Sequence, residues 1–147
     1  MKVIVNKCYG GFGLSTKAEL EYYEKQGEVY PFVVIFNENF ESSFERYDEN
    51  KSYARLTSTV FLKKNPTTDT LCETWEEVDK KYEMVNYDLD KKRSDEELIE
   101  IVERLGSAAD GSFAKLEVVE IPDDYDYEIS DYDGVETIYY GKDLKVI

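Results

Sequence analysis

Tyr125-Asp126-Tyr127-Glu128-Ile129-Ser130-Asp131-Tyr132-Asp133-Gly134-Val135-Glu136-Thr137-Ile138-Tyr139-Tyr140 carries the clearest fold signal in this sequence. Tyr125, Tyr127 and Ile129 alternate with Asp126, Glu128 and Ser130, the period of two that sends successive side chains to opposite faces of a strand. Asp133-Gly134 supplies two residues that tolerate positive φ, and residues 135–140 return as a second strand. The reading is a C-terminal β-hairpin. It lies in an acidic tract: residues 117–136 hold nine carboxylates (Glu117, Glu120, Asp123, Asp124, Asp126, Glu128, Asp131, Asp133, Glu136) and no lysine or arginine.

Upstream, residues 115–121 read as a strand ended by Pro122. Ser94-x-x-Glu97 has capping-box spacing and opens a helix with Leu98, Ile101, Val102 and Leu105 on one face, closed by Gly106. Residues 86–93 are a polar, charged linker. Thr70-x-x-Glu73 opens the longest expected helix, with Leu71, Trp75, Val78, Tyr82 and Val85 along one stripe that includes Trp75 in the core. Residues 55–63 alternate as a strand, whereas Phe40, Phe44 and Tyr47 recur at helical spacing and predict a short helix over 38–48.

Nearer the N-terminus, residues 29–36 form an apolar strand, and residues 2–6 form another that is rich in β-branched side chains. Between them lie a glycine-rich loop and a helix capped by Ser15 or Thr16, with Ala18 and Tyr22 on one face and Gly27 at its end. Strand, helix and strand in this order predict a right-handed crossover between parallel strands. The expected fold is α+β: one domain over residues 1–147, a mixed β-sheet with three or four helices, and the C-terminal β-hairpin.

Composition narrows the function. A chain of 147 residues can bury roughly 68–70% of its unfolded surface. Charged residues make up 35%, but 41% apolar and 14% aromatic content is too much for a disordered chain. The longest apolar run, residues 32–36, is far below the ~20 residues needed to span a bilayer. Lys2 precedes only Val3-Ile4-Val5 before polar residues return, so no signal peptide is expected and a cytoplasmic location is. Cys8 and Cys72 are too far apart for a paired-cysteine metal motif. Histidine is absent, which removes the commonest general base and transition-metal ligand. The net charge of −15 repels nucleic acid and anionic membranes and favours basic partners.

Two blocks carry a resemblance. One is Asn6-Lys7-Cys8-Tyr9-Gly10-Gly11-Phe12-Gly13-Leu14-Ser15. The other runs from Arg93-Ser94-Asp95 through Glu103-Arg104-Leu105-Gly106 and residues 114–123 to Tyr132-Asp133-Gly134-Val135-Glu136. Together they resemble a family of small, functionally uncharacterised proteins of bacteriophages, prophages and some bacteria; residues 37–92 lie outside the likeness. The resemblance implies a phage-type origin and a bacterial host cytoplasm, and it brings no activity with it. Small phage proteins of this kind often act on host machinery or defence systems, an inference by association.

Three candidate sites follow. A glycine-rich loop between a strand and a helix can cradle phosphate, so Lys7, Cys8, Tyr9, Gly10, Gly11, Gly13 and Ser15 form a possible ligand loop. The spacing Gly10-Gly11-Phe12-Gly13 matches neither standard phosphate motif, and a tight structural turn is the competing reading. Cys8 could be a nucleophile, but no histidine can serve as its base. The acidic tract offers Asp123, Asp124, Asp126, Glu128, Asp131, Asp133, Glu136 and Tyr132 as a partner-binding face; a merely solvated hairpin face is the alternative.

Asp131-x-Asp133-Gly134 resembles the start of a calcium loop, but the later ligand positions fail, so no metal and no cofactor are expected. Asp124, Asp126 and Glu128 on one strand face would stand about 6.6 Å apart. Duplex DNA carries a charge every ~1.7 Å of axis, so one strand cannot imitate it unaided. The expectation is a non-enzymatic protein that binds and antagonises a basic host protein or nucleic-acid-binding complex, such as a defence effector. The alternatives are a module that sequesters a nucleotide or phosphorylated signal in the glycine-rich loop, and an enzyme using Cys8.

Overall fold

The computed structural model describes every residue except 37, 40, 54–56, 142–144 and 147. In chain order its elements are β1 (Lys2–Asn6), α1 (Thr16–Gln26), β2 (Tyr30–Phe36), β3 (Ser42–Arg46), β4 (Thr59–Leu62), β5 (Thr70–Leu71), α2 (Trp75–Tyr82), β6 (Met84–Val85), α3 (Glu96–Leu105), β7 (Leu116–Glu120), β8 (Tyr127–Tyr132), β9 (Val135–Tyr140) and β10 (Lys145–Val146). Short 3-10 turns occur at Leu89–Lys91 and Gly106–Ala109. The class is α+β, as expected. The chain divides into two compact units: Met1–Tyr22 with Asp88–Ile147, and Tyr23–Tyr87. No described helix is long and apolar enough to cross a membrane.

In the first unit, β1 pairs antiparallel with β7, while β8, β9 and β10 form a meander with β9 central. Val3, Val5, Ile121 and Ile138 form the core between them, with Val119, Tyr127, Ile129 and Tyr140 partly buried around it. Helix α3 packs on β1 and β7. It buries Leu98, Ile99, Ile101 and Val102; Gly106, at φ 58°, ends it with a conformation that favours glycine. Its cap is Asp95, whose carboxylate accepts from the Leu98 amide, rather than the expected Ser94. Ser15 caps α1 by accepting from the Ala18 amide.

The second unit is a five-stranded antiparallel sheet in the order β5-β3-β2-β4-β6. Phe32, Val34, Phe44, Val60, Leu62, Leu71 and Val78 fill one side. Tyr23 stacks on Phe61 at 4.1 Å.

Several expectations are corrected. The parallel β1/β2 crossover does not form: β1 and β2 lie in different sheets, and every described strand pair is antiparallel. Locality explains this, since β2 pairs with β3 after a short loop, with Phe36 opposite Ser42. In place of the helix over 38–48 the described residues Ser42–Arg46 form β3, because Phe44 pairs with Val34 on one side and Leu71 on the other; Phe40 lies outside the described residues. The long helix shrinks to α2: Leu71 belongs to β5, and Met84–Val85 forms β6.

Thr74 is the real cap of α2, accepting from the Glu77 amide, and Trp75 is 44% exposed although it meets Phe44 edge-on. The strand expected over 55–63 is shorter: it runs over Thr59–Leu62, Thr57, Ser58 and Lys63 are not part of it, and Arg55 and Leu56 lie outside the described residues.

Candidate functional site: a locked loop beneath an acidic hairpin

The two sequence blocks meet in the first unit around a buried ion pair that sequence reading missed. Arg93 and Glu136 join through two parallel bonds, Nη1 to Oε1 at 2.6 Å and Nη2 to Oε2 at 2.8 Å. Both residues are buried, at 8% and 3% exposure. Burying such a pair costs solvation, which its mutual attraction offsets when the geometry is good and further hydrogen bonds satisfy the remaining donors and acceptors. Those bonds are present. Glu136 Oε1 also accepts from the Asn6 amide at 2.8 Å, while Arg93 donates from Nε to the Asp90 carbonyl at 2.7 Å and from Nη1 to the Ile4 carbonyl at 3.2 Å. The Ile4 amide in turn donates to the Arg93 carbonyl. Arg93 and Glu136 therefore satisfy the edge of β1 that faces away from β7, where a strand would otherwise be needed. The guanidinium lies 3.6 Å from the centre of the Phe12 ring.

Asn6 is fully buried and makes every bond its amide allows. Nδ2 donates to the Cys8 and Gly134 carbonyls, and Oδ1 accepts from the Cys8 and Lys115 amides. Lys7 Nζ donates to the Glu136 carbonyl at 2.9 Å. Asn6 and Lys7 thus tie the N-terminal loop to the turn of the β8–β9 hairpin.

The glycines allow the close approach. A Cβ on Gly134 would lie 2.3 Å from the Gly11 nitrogen, and one on Gly10 would lie 2.7 Å from the Phe113 Cβ. Gly134 also has φ 91° and Gly10 φ 118°, which disfavour other residues.

This geometry bears directly on the ligand loop. Lys7, the cation within the loop, is spent on the hairpin backbone, and the Cys8 and Gly10 amides are directed at Asn6 and, at 3.4 Å, the Asp133 carbonyl. Gly13 accepts from the Gly111 amide, and Ser15 Oγ donates to the Ala108 carbonyl. Cys8 is half-buried, and Tyr9 is 67% exposed. A surface hollow of about 800 Å³ in this unit is lined by Met1, Lys2, Ile99, Glu103 and neighbours, and no residue of 7–15 lines it.

The acidic residues sort into two groups. Glu136 faces inward, a correction to its place on the partner face: its strand position opposite Asp131 puts it on the core side beside Ile138. The other eight are exposed. Of these, Asp131 Oδ1 accepts from the Gly134 amide to fix the turn, and Asp133, at φ 52°, forms the turn with Gly134, as a type I′ hairpin requires. Asp123 pairs with the Met1 ammonium, which holds its carboxyl below the usual range.

Asp124 has φ 64° and lies in the turn before β8, so it does not continue the strand face as expected. Asp126, Glu128, Ser130 and Tyr132 do share one outer face, and all are exposed. Tyr132 is 80% exposed, Tyr125 48% and Phe113 44%. Among the described residues no three acidic or thiol side chains converge as a metal site.

The molecule is thus an acidic α+β protein with an outward carboxylate and tyrosine face above a buried network of hydrogen bonds among Asn6, Arg93 and Glu136. No family model matches the sequence, and no curated protein or solved structure is significantly similar to it.

Proposed function

We propose that this chain is a non-enzymatic binding protein whose acidic hairpin docks on a basic surface of a host protein and blocks it. A nucleic-acid-binding defence effector is the partner class that suits this charge, and the resemblance to phage proteins favours the same class. The observation that carries the reading is the concentration of eight exposed carboxylates over residues 117–133, with Tyr125 and Tyr132 exposed among them and no lysine or arginine. Carboxylates steer a basic partner and tyrosines supply contact area at interfaces. The alternative nucleotide site is disfavoured because Lys7 and two loop amides already have partners.

The test is affinity capture from host lysate with the wild-type protein and with the variant Asp124→Lys/Asp126→Lys/Glu128→Lys. Asp126 and Glu128 project from the outer face of β8 and Asp124 lies in the turn before it, so circular dichroism should first show that the variant keeps the fold. The wild type should retain a basic protein at low salt and release it as salt rises, and the variant should not retain it. Equal capture by both would rule out this face.

A further inference from the structure

The β8–β9 hairpin has one partnered side and one open side. β9 lies between β10 and β8, so among the described residues nothing pairs with the outer edge of β8. The register determines which backbone groups face out. Tyr132 and Val135 flank a two-residue turn and therefore exchange both hydrogen bonds, and the Gly141 amide donates to the Asp126 carbonyl at 3.1 Å. Asp126, Glu128, Ser130 and Tyr132 thus direct their backbones towards β9. Tyr127, Ile129 and Asp131 direct theirs outward, leaving three amides and three carbonyls in one row. The β7 edge is shorter and partly closed, since the Asp110 carboxylate takes the Leu116 amide.

An open edge of this length is a template for another strand. Charge selects the occupant. A second copy of β8 would bring another acidic strand, with no lysine or arginine, beside Glu128 and Asp131, and that net repulsion disfavours self-pairing. A strand carrying lysine or arginine on alternate positions would instead lay its cations beside Asp126, Glu128 and Tyr132 on the outer face.

Building on the acidic docking face proposed above, we infer that the outer edge of β8 receives an extended, basic segment of the partner as an added strand. Backbone bonds to Tyr127, Ile129 and Asp131 hold the segment, and the outer-face carboxylates select its charge.

A synthetic seven-residue peptide of alternating lysine and valine is the probe, titrated at low salt while amide exchange is read by NMR. With the peptide at ten times its Kd, exchange at the Tyr127, Ile129 and Asp131 amides should slow by roughly tenfold. The same peptide N-methylated on alternate residues cannot pair and should give no such slowing. Binding without protection of these three amides overturns strand addition but leaves the acidic face standing. No binding at low salt overturns both.

Discussion

Glu136→Ala tests the buried pair that holds the hairpin to the N-terminal strand. The substitution removes both bonds to Arg93, at 2.6 and 2.8 Å, and the acceptor of the Asn6 amide. It leaves a guanidinium buried at 8% exposure without its counter-charge. Removing one partner of a buried pair costs about 3–5 kcal/mol, and the unsatisfied amide falls within the same cavity, so the two losses do not simply add. Against a typical total of about 5–15 kcal/mol, that is a large share of the stability.

Urea unfolding followed by far-UV circular dichroism measures it as a shift in midpoint at unchanged slope. Replacing both partners with apolar residues, Arg93→Met/Glu136→Leu, should cost less than Glu136→Ala, because no charge is stranded. A loss below about 1 kcal/mol for Glu136→Ala would refute the structural role assigned to the pair.

Other outcomes follow from the same geometry. Gly134→Ala, with a Cβ 2.3 Å from the Gly11 nitrogen, should destabilise by more than about 2 kcal/mol in the same unfolding assay. Burial raises the half-buried Glu19 carboxyl from 4.5 to about 7, so the fold favours its protonated form. Its contribution is fully present below pH 4.5 and is lost as pH rises through about 7, by about 3 kcal/mol at most. Glu19→Gln should flatten the stability–pH profile across that window, as measured by urea midpoints. Nucleotides should not raise the melting temperature, whereas a bound one at 100 times its Kd would add about 2.7 kcal/mol. Cys8→Ser should bind the partner as the wild type does, measured by titration calorimetry.

The hairpin was legible because period-two alternation and Asp133-Gly134 agree with each other, and tertiary packing does not oppose them. Helix α3 was legible for the same reason, its apolar stripe matching the buried face. The other helix was misjudged because Leu71 and Val85 fall in phase with the α2 stripe while belonging to edge strands. Thr74-x-x-Glu77 was the available signal for its true start. Phe44 and Tyr47 have helical spacing by coincidence, and pairing with β2 overrode it.

At the candidate site, composition identified the acidic tract but not the exception within it. Nothing local distinguishes Glu136 from its acidic neighbours; only the register with Ile129–Ile138 sends it inward to Arg93. Arg93 itself stood in a stretch read as a polar linker. Its long-range bonds to Ile4 and Glu136 leave no periodic trace in sequence.

Docking through this particular face, rather than through bulk charge, is tested most directly by calorimetric titration of the captured partner with two variants of equal net charge. Asp124→Lys/Asp126→Lys/Glu128→Lys alters the hairpin, and Glu38→Lys/Glu49→Lys/Glu76→Lys alters exposed positions of the second unit. Each reversal adds two charges, so both variants move from −15 to −9. The hairpin variant should bind more than about tenfold more weakly than the other, a difference of about 1.4 kcal/mol. Equal weakening by the two variants would contradict the account.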